Sequence, residues 1–224
     1  MVTKQKNPNT PELWDKRLFE TNEILLHSPY YIDKLRRVAD FLKNKNGRIL
    51  DIGFGAANLE RLILASDTKL KLYGIDFSSR AVMRANRELK GTFILAKSQK
   101  LPFRKSFFDF LVMLDVLEHI PSQESGRVLS EISRVLKRGG NFIISIPLNE
   151  DLAKMNNEGT NFNKHLREYT PKILKKELSL VGFGVLGWEF IYAFRNFYFL
   201  KNLAVKIFPN FRKPNLLIVY AIKK

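Results

Sequence analysis

The stretch from Arg48 to Asn58 constrains the fold more than any other part of the chain. A short aliphatic run ends in Asp51, breaks into the turn Gly53-Phe54-Gly55 and continues as the helix-compatible run 59–64. The order strand, glycine turn, helix is typical of α/β sheets that bring bare backbone against a nucleotide-like ligand. Glycine suits such a turn because it tolerates a positive φ and has no Cβ to block close approach.

Strand and helix patterns alternate along most of the chain, which favours βαβ units and a mainly parallel sheet. The predicted strands are 48–52, 70–76, 92–96, 107–114, 141–146, 185–190 and 216–222. The predicted helices are 11–25, 30–43, 59–65, 79–89, 122–137 (stopped by Gly139-Gly140) and 171–181, with 147–168 as a polar, irregular connection. Residues 1–9 are expected to be frayed. The segment 192–215 is expected either to insert a helix or to join the last two strands as an elaborated hairpin.

Composition limits the chemistry. The chain has no cysteine, which excludes disulfides, thiolate zinc sites and a cysteine nucleophile. Its three histidines leave little material for a histidine-rich metal site, so no metal is predicted. The net charge of +16 indicates either an anionic partner or simply a lysine-rich surface. With no signal-peptide core and no long apolar run, we expect a cytoplasmic protein, soluble or peripheral to a membrane.

Two acidic residues restrict the class of ligand that could bind at the glycine turn. A pyrophosphate would be repelled by Asp51, and the dinucleotide fingerprint requires glycine where Asn58 stands. A carboxylate at Asp51 suits a cationic amino group, and Asp76, at the end of the second strand, can accept hydrogen bonds from ribose hydroxyls. The predicted ligand is a nucleoside that carries an amino acid.

Several motifs in this order resemble those of class I S-adenosylmethionine-dependent methyltransferases, in the small-molecule branch (methyltransferase type 11, similar to enzymes of ubiquinone and menaquinone biosynthesis). They are Leu50–Gly55, Gly74–Ser78, Leu101–Phe103, Phe108–Val112, Leu117–Pro121 and Val135–Gly140, followed by His165–Thr170 and Val181–Phe183. The resemblance implies a Rossmann-like, seven-stranded, mainly parallel sheet with helices on both faces and an antiparallel C-terminal hairpin. It also implies a cofactor-binding core at 47–147 and a C-terminal part of the same domain at 148–224. The N-terminal helices at 1–46 are expected either to form a cap or lid or to serve as packing helices.

The resemblance implies roles for individual residues. Backbone of Gly53 and Gly55 would hold the methionine and ribose parts of S-adenosylmethionine. The other expected contacts are Asp51 with the amino group, Asp76 with the ribose, Phe77 with the adenine, Ser98 and Gln99 at the adenine edge, and backbone of Leu114 near the amine. Two residues depart from the family pattern: Ala57 replaces its usual third glycine, and Lys97 replaces a frequent aspartate.

Two histidines are the candidate catalytic residues. His119, after the fourth strand, and His165, in the polar connection, are expected near the acceptor, where either could act as a general base. The competing interpretations are a packing role for His119 and a surface position for His165. Arg167 is a further candidate for the roof of the substrate site.

The acceptor is predicted to be a small or lipid-linked molecule methylated on oxygen or nitrogen. The basic and aromatic segment 192–208 has the composition of an interfacial helix, so peripheral contact with an anionic membrane surface is expected, against a packing helix or a dimer contact. Methylation of RNA or DNA is the rival activity, disfavoured because the base-methylase and ribose-methylase motifs are missing. A catalytically inactive cofactor-binding module is the other alternative.

Overall fold

Seven strands form one sheet in the computed structural model, which describes residues 7–20, 22–66, 68–194, 196–208 and 212–224, without the side chain of Phe19. The strands are β1 (Asn46–Ile52), β2 (Lys69–Asp76), β3 (Thr92–Leu95), β4 (Phe108–Leu114), β5 (Leu136–Pro147), β6 (Phe183–Ile191) and β7 (Leu216–Lys223). Their order is β3-β2-β1-β4-β5-β7-β6. The first five are parallel, and β7 runs antiparallel to both β5 and β6. The predicted Rossmann-like fold is confirmed.

Helices cover both faces of this sheet. They are α1 (Pro11–Glu20), α2 (Asn22–Leu26), α3 (Pro29–Leu42), α4 (Asn58–Ala65), α5 (Ser79–Glu88), the 3₁₀ turn Leu117–His119, α6 (Ser122–Val135), α7 (Leu152–Asn157), α8 (Pro171–Leu180) and α9 (Tyr198–Ile207). Leu111 packs with α6 and α8 on one face, and its neighbour Val112 packs with α3 and α4 on the other. Both are fully buried. This explains why the central strand β4 is apolar along almost its whole length.

The strand order places a crevice at the carboxyl ends of β1 and β4. From β1 the chain proceeds outward to β2 and β3, then returns to the other side of β1 for β4. Ligands of open α/β sheets bind where the strand order reverses in this way. The glycine turn after β1 and the 3₁₀ turn after β4 therefore lie at the same edge.

Some element boundaries differ from the sequence predictions. Helix α6 ends at Val135 rather than at the glycine pair, because Leu136 is fully buried and pairs with Phe108 on β4, so Gly139 and Gly140 belong to β5. Burial of Leu136 outweighs the local stop signal. The predicted helix 11–25 is divided into α1 and α2, and the predicted irregular connection contains α7. No helix in the described part of the chain has the length and apolar character to cross a membrane.

The C-terminal segment combines both predicted forms. Strands β6 and β7 pair as an antiparallel hairpin, and α9 is inserted between them. Only Tyr198 and Val205 of this helix are buried. Large apolar side chains on the remaining surface face solvent: Phe199 and Leu200 are 75% and 67% exposed. Arg195, one of the basic residues of the segment 192–208, lies outside the described residues, as do residues 1–6.

Candidate active site

The glycine turn connects β1 to α4 in a tightly packed backbone. Gly53 has a φ of +77°, and a Cβ added to it would lie 2.5 Å from Cγ2 of Val116. Its N–H donates to the carbonyl of Ile75 at 2.8 Å. Gly55, with a φ of +55°, donates its N–H to Oδ2 of Asp76 at 2.9 Å. The turn is thus fixed to the end of β2, and its backbone lines the cavity beyond it.

Ala57 stands where the family pattern usually has a third glycine. It has a left-handed backbone (φ 57°, ψ 38°) at the N-terminus of α4, and its methyl group packs in a cluster with Phe54 and Ala81. The turn conformation is therefore retained without glycine, although the left-handed region is unfavourable for alanine by about 1–2 kcal/mol.

Two buried carboxyl groups face each other beside the turn. Asp51 ends β1, Glu60 lies in the first turn of α4, and their side chains are hydrogen-bonded and only 6% and 2% exposed. Burial, together with the neighbouring Glu60, holds the pKa of Asp51 well above its ordinary value, and burial raises the pKa of Glu60 to about 7. Oε2 of Glu60 has no hydrogen-bond partner. A cation would supply what this pair lacks, so the site fits the ammonium group of an amino acid.

Asp76 closes the opposite side of the turn. Besides Gly55, it accepts from the N–H of Ser78 at 2.8 Å, and burial raises its pKa. Each carboxylate oxygen keeps a further lone pair that can accept from a ribose hydroxyl. The other predicted cofactor residues, Phe77, Ser98, Gln99 and Leu114, line the same cavity. The amide of Gln99 donates to Glu124 at 2.6 Å.

Asp51, Gly53, Gly55, Asp76 and the four residues just named line one cavity of about 970 Å³, which is at the upper end of the range for small-molecule sites. Glu60 does not line this cavity and meets it only through its hydrogen bond to Asp51. The helices α1 and α2 lie over it and contribute Trp14, Leu18 and Leu25 to its wall. Asp15 of α1 accepts a hydrogen bond from the hydroxyl of Ser78. The N-terminal helices therefore contact the same end of β2 that presents Asp76.

The two candidate histidines meet at the other end of the cavity. Their ring centroids are 4.7 Å apart, and the His119 ring also meets the ring of Trp14 at 4.8 Å. Nδ1 of His165 contacts the carboxylate of Glu150 at 2.7 Å. Burial and the nearby His165 lower the pKa of His119 to about 3, so that this imidazole is neutral at pH 7. Arg167 does not line the cavity: it pairs with Glu177 at 2.6 Å.

Three charged residues of this site were not predicted from the sequence: Lys34, Glu60 and Glu150. Lys34 is 2% exposed and forms an ion pair with Asp115, which also accepts from Ser145 at 2.5 Å. Burial opposes ionisation, but Lys34 holds the pKa of Asp115 below its ordinary value. A signal for Lys34 was present, because this lysine interrupts the apolar face of a predicted helix.

Grouping of Glu118 with both histidines was also not predicted. One potential metal-binding atom from each of the three residues lies within 4.8 Å of the others. The prediction of no metal site was based on the number of histidines alone. It did not include a donor set of two histidines and one carboxylate.

Comparison with known proteins identifies the fold family. A family model described as "Methyltransferase domain" matches residues 50–144. An uncharacterised protein of Methanocaldococcus jannaschii is 30% identical over 195 residues, covering 87% of this chain and 72% of that protein. The demethylmenaquinone methyltransferase of Thermotoga maritima is 32% identical over 111 residues, 49% of this chain and 48% of the enzyme.

Solved structures agree with the sequence matches. A S-adenosylmethionine-dependent methyltransferase of Thermotoga maritima superposes with a TM-score of 0.72 at 18% identity, covering 95% of this chain and 99% of that one. Several other curated relatives are matched over only about a third to three fifths of their length. Fold, glycine turn and acidic strand ends agree with these matches, and the chain belongs to the class I S-adenosylmethionine-dependent methyltransferases.

Proposed function

We propose that this methyltransferase acts on an oxygen or nitrogen atom of a small or lipid-linked acceptor. The observation that carries the proposal is the single cavity that joins the carboxylates near the glycine turn to the His119 and His165 pair. A donor at one end and an acceptor at the other would be held in one continuous cavity. Such alignment supplies much of the rate gain in a two-substrate displacement.

The cofactor end is assigned to residues around the turn. Asp51 binds the amino group and is supported by its hydrogen bond to Glu60, which does not line the cavity. Asp76 accepts from the ribose, and backbone of Gly53 and Gly55 lies against the molecule. When bound, S-adenosylmethionine would supply a methyl group on a cationic sulfur. An acceptor lone pair would form a bond to the methyl carbon as the carbon–sulfur bond breaks, and the sulfur would become a neutral thioether. Phe77, Ser98, Gln99 and Leu114 complete the adenine and methionine walls.

The acceptor end is assigned to the two histidines. Both can take a hydrogen bond from the O–H or N–H of an acceptor, and His165 is oriented by Glu150. This arrangement of an imidazole oriented by a carboxylate suits removal of the acceptor's proton. With a pKa near 3, His119 is a weak base and serves to position the acceptor.

Exposed apolar residues on α9 support a lipid-linked acceptor. Phe199, Leu200 and Leu203 face solvent, together with Lys201 and Lys206. Residues 192–215 contain no acidic residue. An apolar helix surface with lysines at its border suits the interface of an anionic membrane, where lipid-linked substrates are found.

The decisive experiment follows transfer of a labelled methyl group. The protein is incubated with labelled S-adenosylmethionine and either cell-extract small molecules, extracted lipids or total RNA. We expect label in the small-molecule or lipid fraction, with Asp51→Ala and Asp76→Ala as variants that lose it. Label in RNA alone would favour the rival activity, and cofactor binding without transfer to any fraction would favour an inactive module.

A further inference from the structure

We propose that Glu118, His119 and His165 bind a divalent metal ion of the zinc class at the acceptor end of the cavity. The three side chains bring one potential ligand atom each to within 4.8 Å of the others. Two imidazoles and one carboxylate form a recurring donor set for Zn²⁺, Co²⁺, Mn²⁺ and Fe²⁺ sites that keep open positions for a substrate.

Unsatisfied polar atoms point to a missing ligand. Among the described residues, four buried side-chain atoms have no hydrogen-bond partner, and three of them are here: both carboxylate oxygens of Glu118 and Nδ1 of His119. Glu118 is fully buried. A buried carboxylate with neither oxygen paired is unfavourable by several kcal/mol unless an ion or a donor reaches it.

Each histidine keeps one ring nitrogen free for a ligand. Nδ1 of His119 is buried and has no hydrogen-bond partner. Nδ1 of His165 contacts the carboxylate of Glu150 at 2.7 Å, which leaves the lone pair on Nε2. Metal-binding histidines are typically held as His165 is, with one nitrogen on the metal and the other donating to a carbonyl or carboxylate.

Charge balance also favours a divalent cation. Lys34 and Asp115 neutralise each other in a buried pair nearby. Glu118 and Glu150 then remain as two carboxylates beside two imidazoles, and Arg17 is a further cation on the cavity wall. A doubly charged ion would compensate Glu118 directly, at the carboxylate whose two oxygens have no hydrogen-bond partner.

Binding requires a modest contraction. Ligand atoms around a tetrahedral zinc ion lie about 3.3 Å apart, so side chains now within 4.8 Å must approach by about 1.5 Å at most. His165 lies in a loop between α7 and α8, which suits such adjustment. The open coordination position would face the cavity and bind an oxygen of the acceptor.

This inference rests on the proposed function only for the acceptor's position. A metal-bound acceptor oxygen would lose its proton more readily. In the metal-bound state this proton would pass to water, because His165 then has no free lone pair for the general-base role proposed above. Metal binding itself is testable without methyl transfer.

The test titrates the metal-free full chain with Zn²⁺ by calorimetry and with Co²⁺ by absorption spectroscopy. We expect one ion per chain and Co²⁺ bands typical of nitrogen and oxygen ligation. Glu118→Gln and His165→Gln should abolish binding, and Glu150→Gln, which removes the orienting carboxylate, should weaken it 10–100-fold. His27→Ala changes an exposed histidine of the same chain and serves as the matched control.

Affinity for S-adenosylmethionine is measured on the same samples. It should persist in all variants, which shows that they fold and that the cofactor assignment is independent of the metal. Failure of the wild-type chain to bind Zn²⁺ or Co²⁺, or equal binding by wild type and Glu150→Gln, would overturn the inference and leave the proposed function standing. If a ligand variant fails to fold, Glu150→Gln and the wild-type Co²⁺ spectrum still decide.

Discussion

The buried pair of Asp51 and Glu60 can ionise fully only if a cation binds beside it. Both groups are buried, and like charges at this distance disfavour joint ionisation, so that the pair titrates as one unit. The cofactor's ammonium group would relieve that repulsion. Proton and ammonium therefore compete for the same two carboxyl groups.

We predict that affinity for S-adenosylmethionine increases as pH rises toward 7 and then levels off. Because the pKa of Glu60 is about 7, the pair holds a proton below that pH and must release it to bind the ammonium. One linked proton gives at most about a tenfold change in dissociation constant per pH unit. Calorimetry between pH 5.5 and 8 measures the slope, which should be flatter in Glu60→Gln.

The free energy of unfolding of the ligand-free chain should, in contrast, decrease as pH rises. A raised pKa means that the folded state holds the proton more tightly than the unfolded state, so this contribution is present below about pH 4.5 and is lost as pH rises to about 7. Denaturant unfolding at several pH values measures this change. For both the stability and the binding measurements, Glu23→Gln, at an exposed glutamate of α2, is the control for Glu60→Gln. A pH slope of binding that is the same in Glu60→Gln, Glu23→Gln and wild type would refute the pair's role.

At the scale of an element, the turn between β1 and α4 contains two glycines with different constraints. Both have positive φ, which alanine adopts at a cost of about 1–2 kcal/mol. At Gly53 an added Cβ would also lie 2.5 Å from Val116, whereas at Gly55 the nearest atom outside its neighbours is 3.6 Å away on Leu18. A comparison of alanine substitutions at the two positions therefore distinguishes the effect of backbone strain from the effect of steric overlap.

We predict that Gly53→Ala lowers the free energy of unfolding by about 1–3 kcal/mol more than Gly55→Ala does, because overpacking adds to the same backbone strain. Denaturant unfolding of the two variants measures the difference. Adding Val116→Ala to Gly53→Ala should recover most of the excess, since it removes the clashing methyl groups. Equal destabilisation of the two glycine variants, with no recovery in the double variant, would contradict this account.

At the scale of the whole molecule, the sequence predicted the sheet because its signals are local and repeated. Alternating periodicities and the glycine turn identified the strands, and Asp51 and Asp76 were recognised from their positions after strands. Tertiary contacts determined what was missed. Leu136 belongs to β5 because it is buried against β4. Glu118 and His165 are 47 residues apart in sequence and lie close together only through tertiary packing, which no local pattern encodes.

The charge and the surface of the molecule lead to the last prediction, which concerns membranes. A net charge of +16 and the apolar surface of α9 together favour binding to anionic bilayers. Phe199 and Leu203 are one turn apart on this helix and 75% and 56% exposed. We expect the double variant Phe199→Ser, Leu203→Ser to bind vesicles of anionic lipid at least tenfold more weakly than wild type, since each buried side chain contributes about 1.5–3 kcal/mol.

Cosedimentation at low salt measures this binding, and salt should weaken it by screening the lysines. Leu180→Ser is the matched control: Leu180, at the end of α8, is 76% exposed and lies outside the proposed surface. If hydrophobic insertion of α9 anchors the protein, only the α9 variant loses binding that persists at moderate salt. If net charge alone attracts the protein, both variants bind like wild type and all binding disappears with salt, in which case α9 has no role at the membrane.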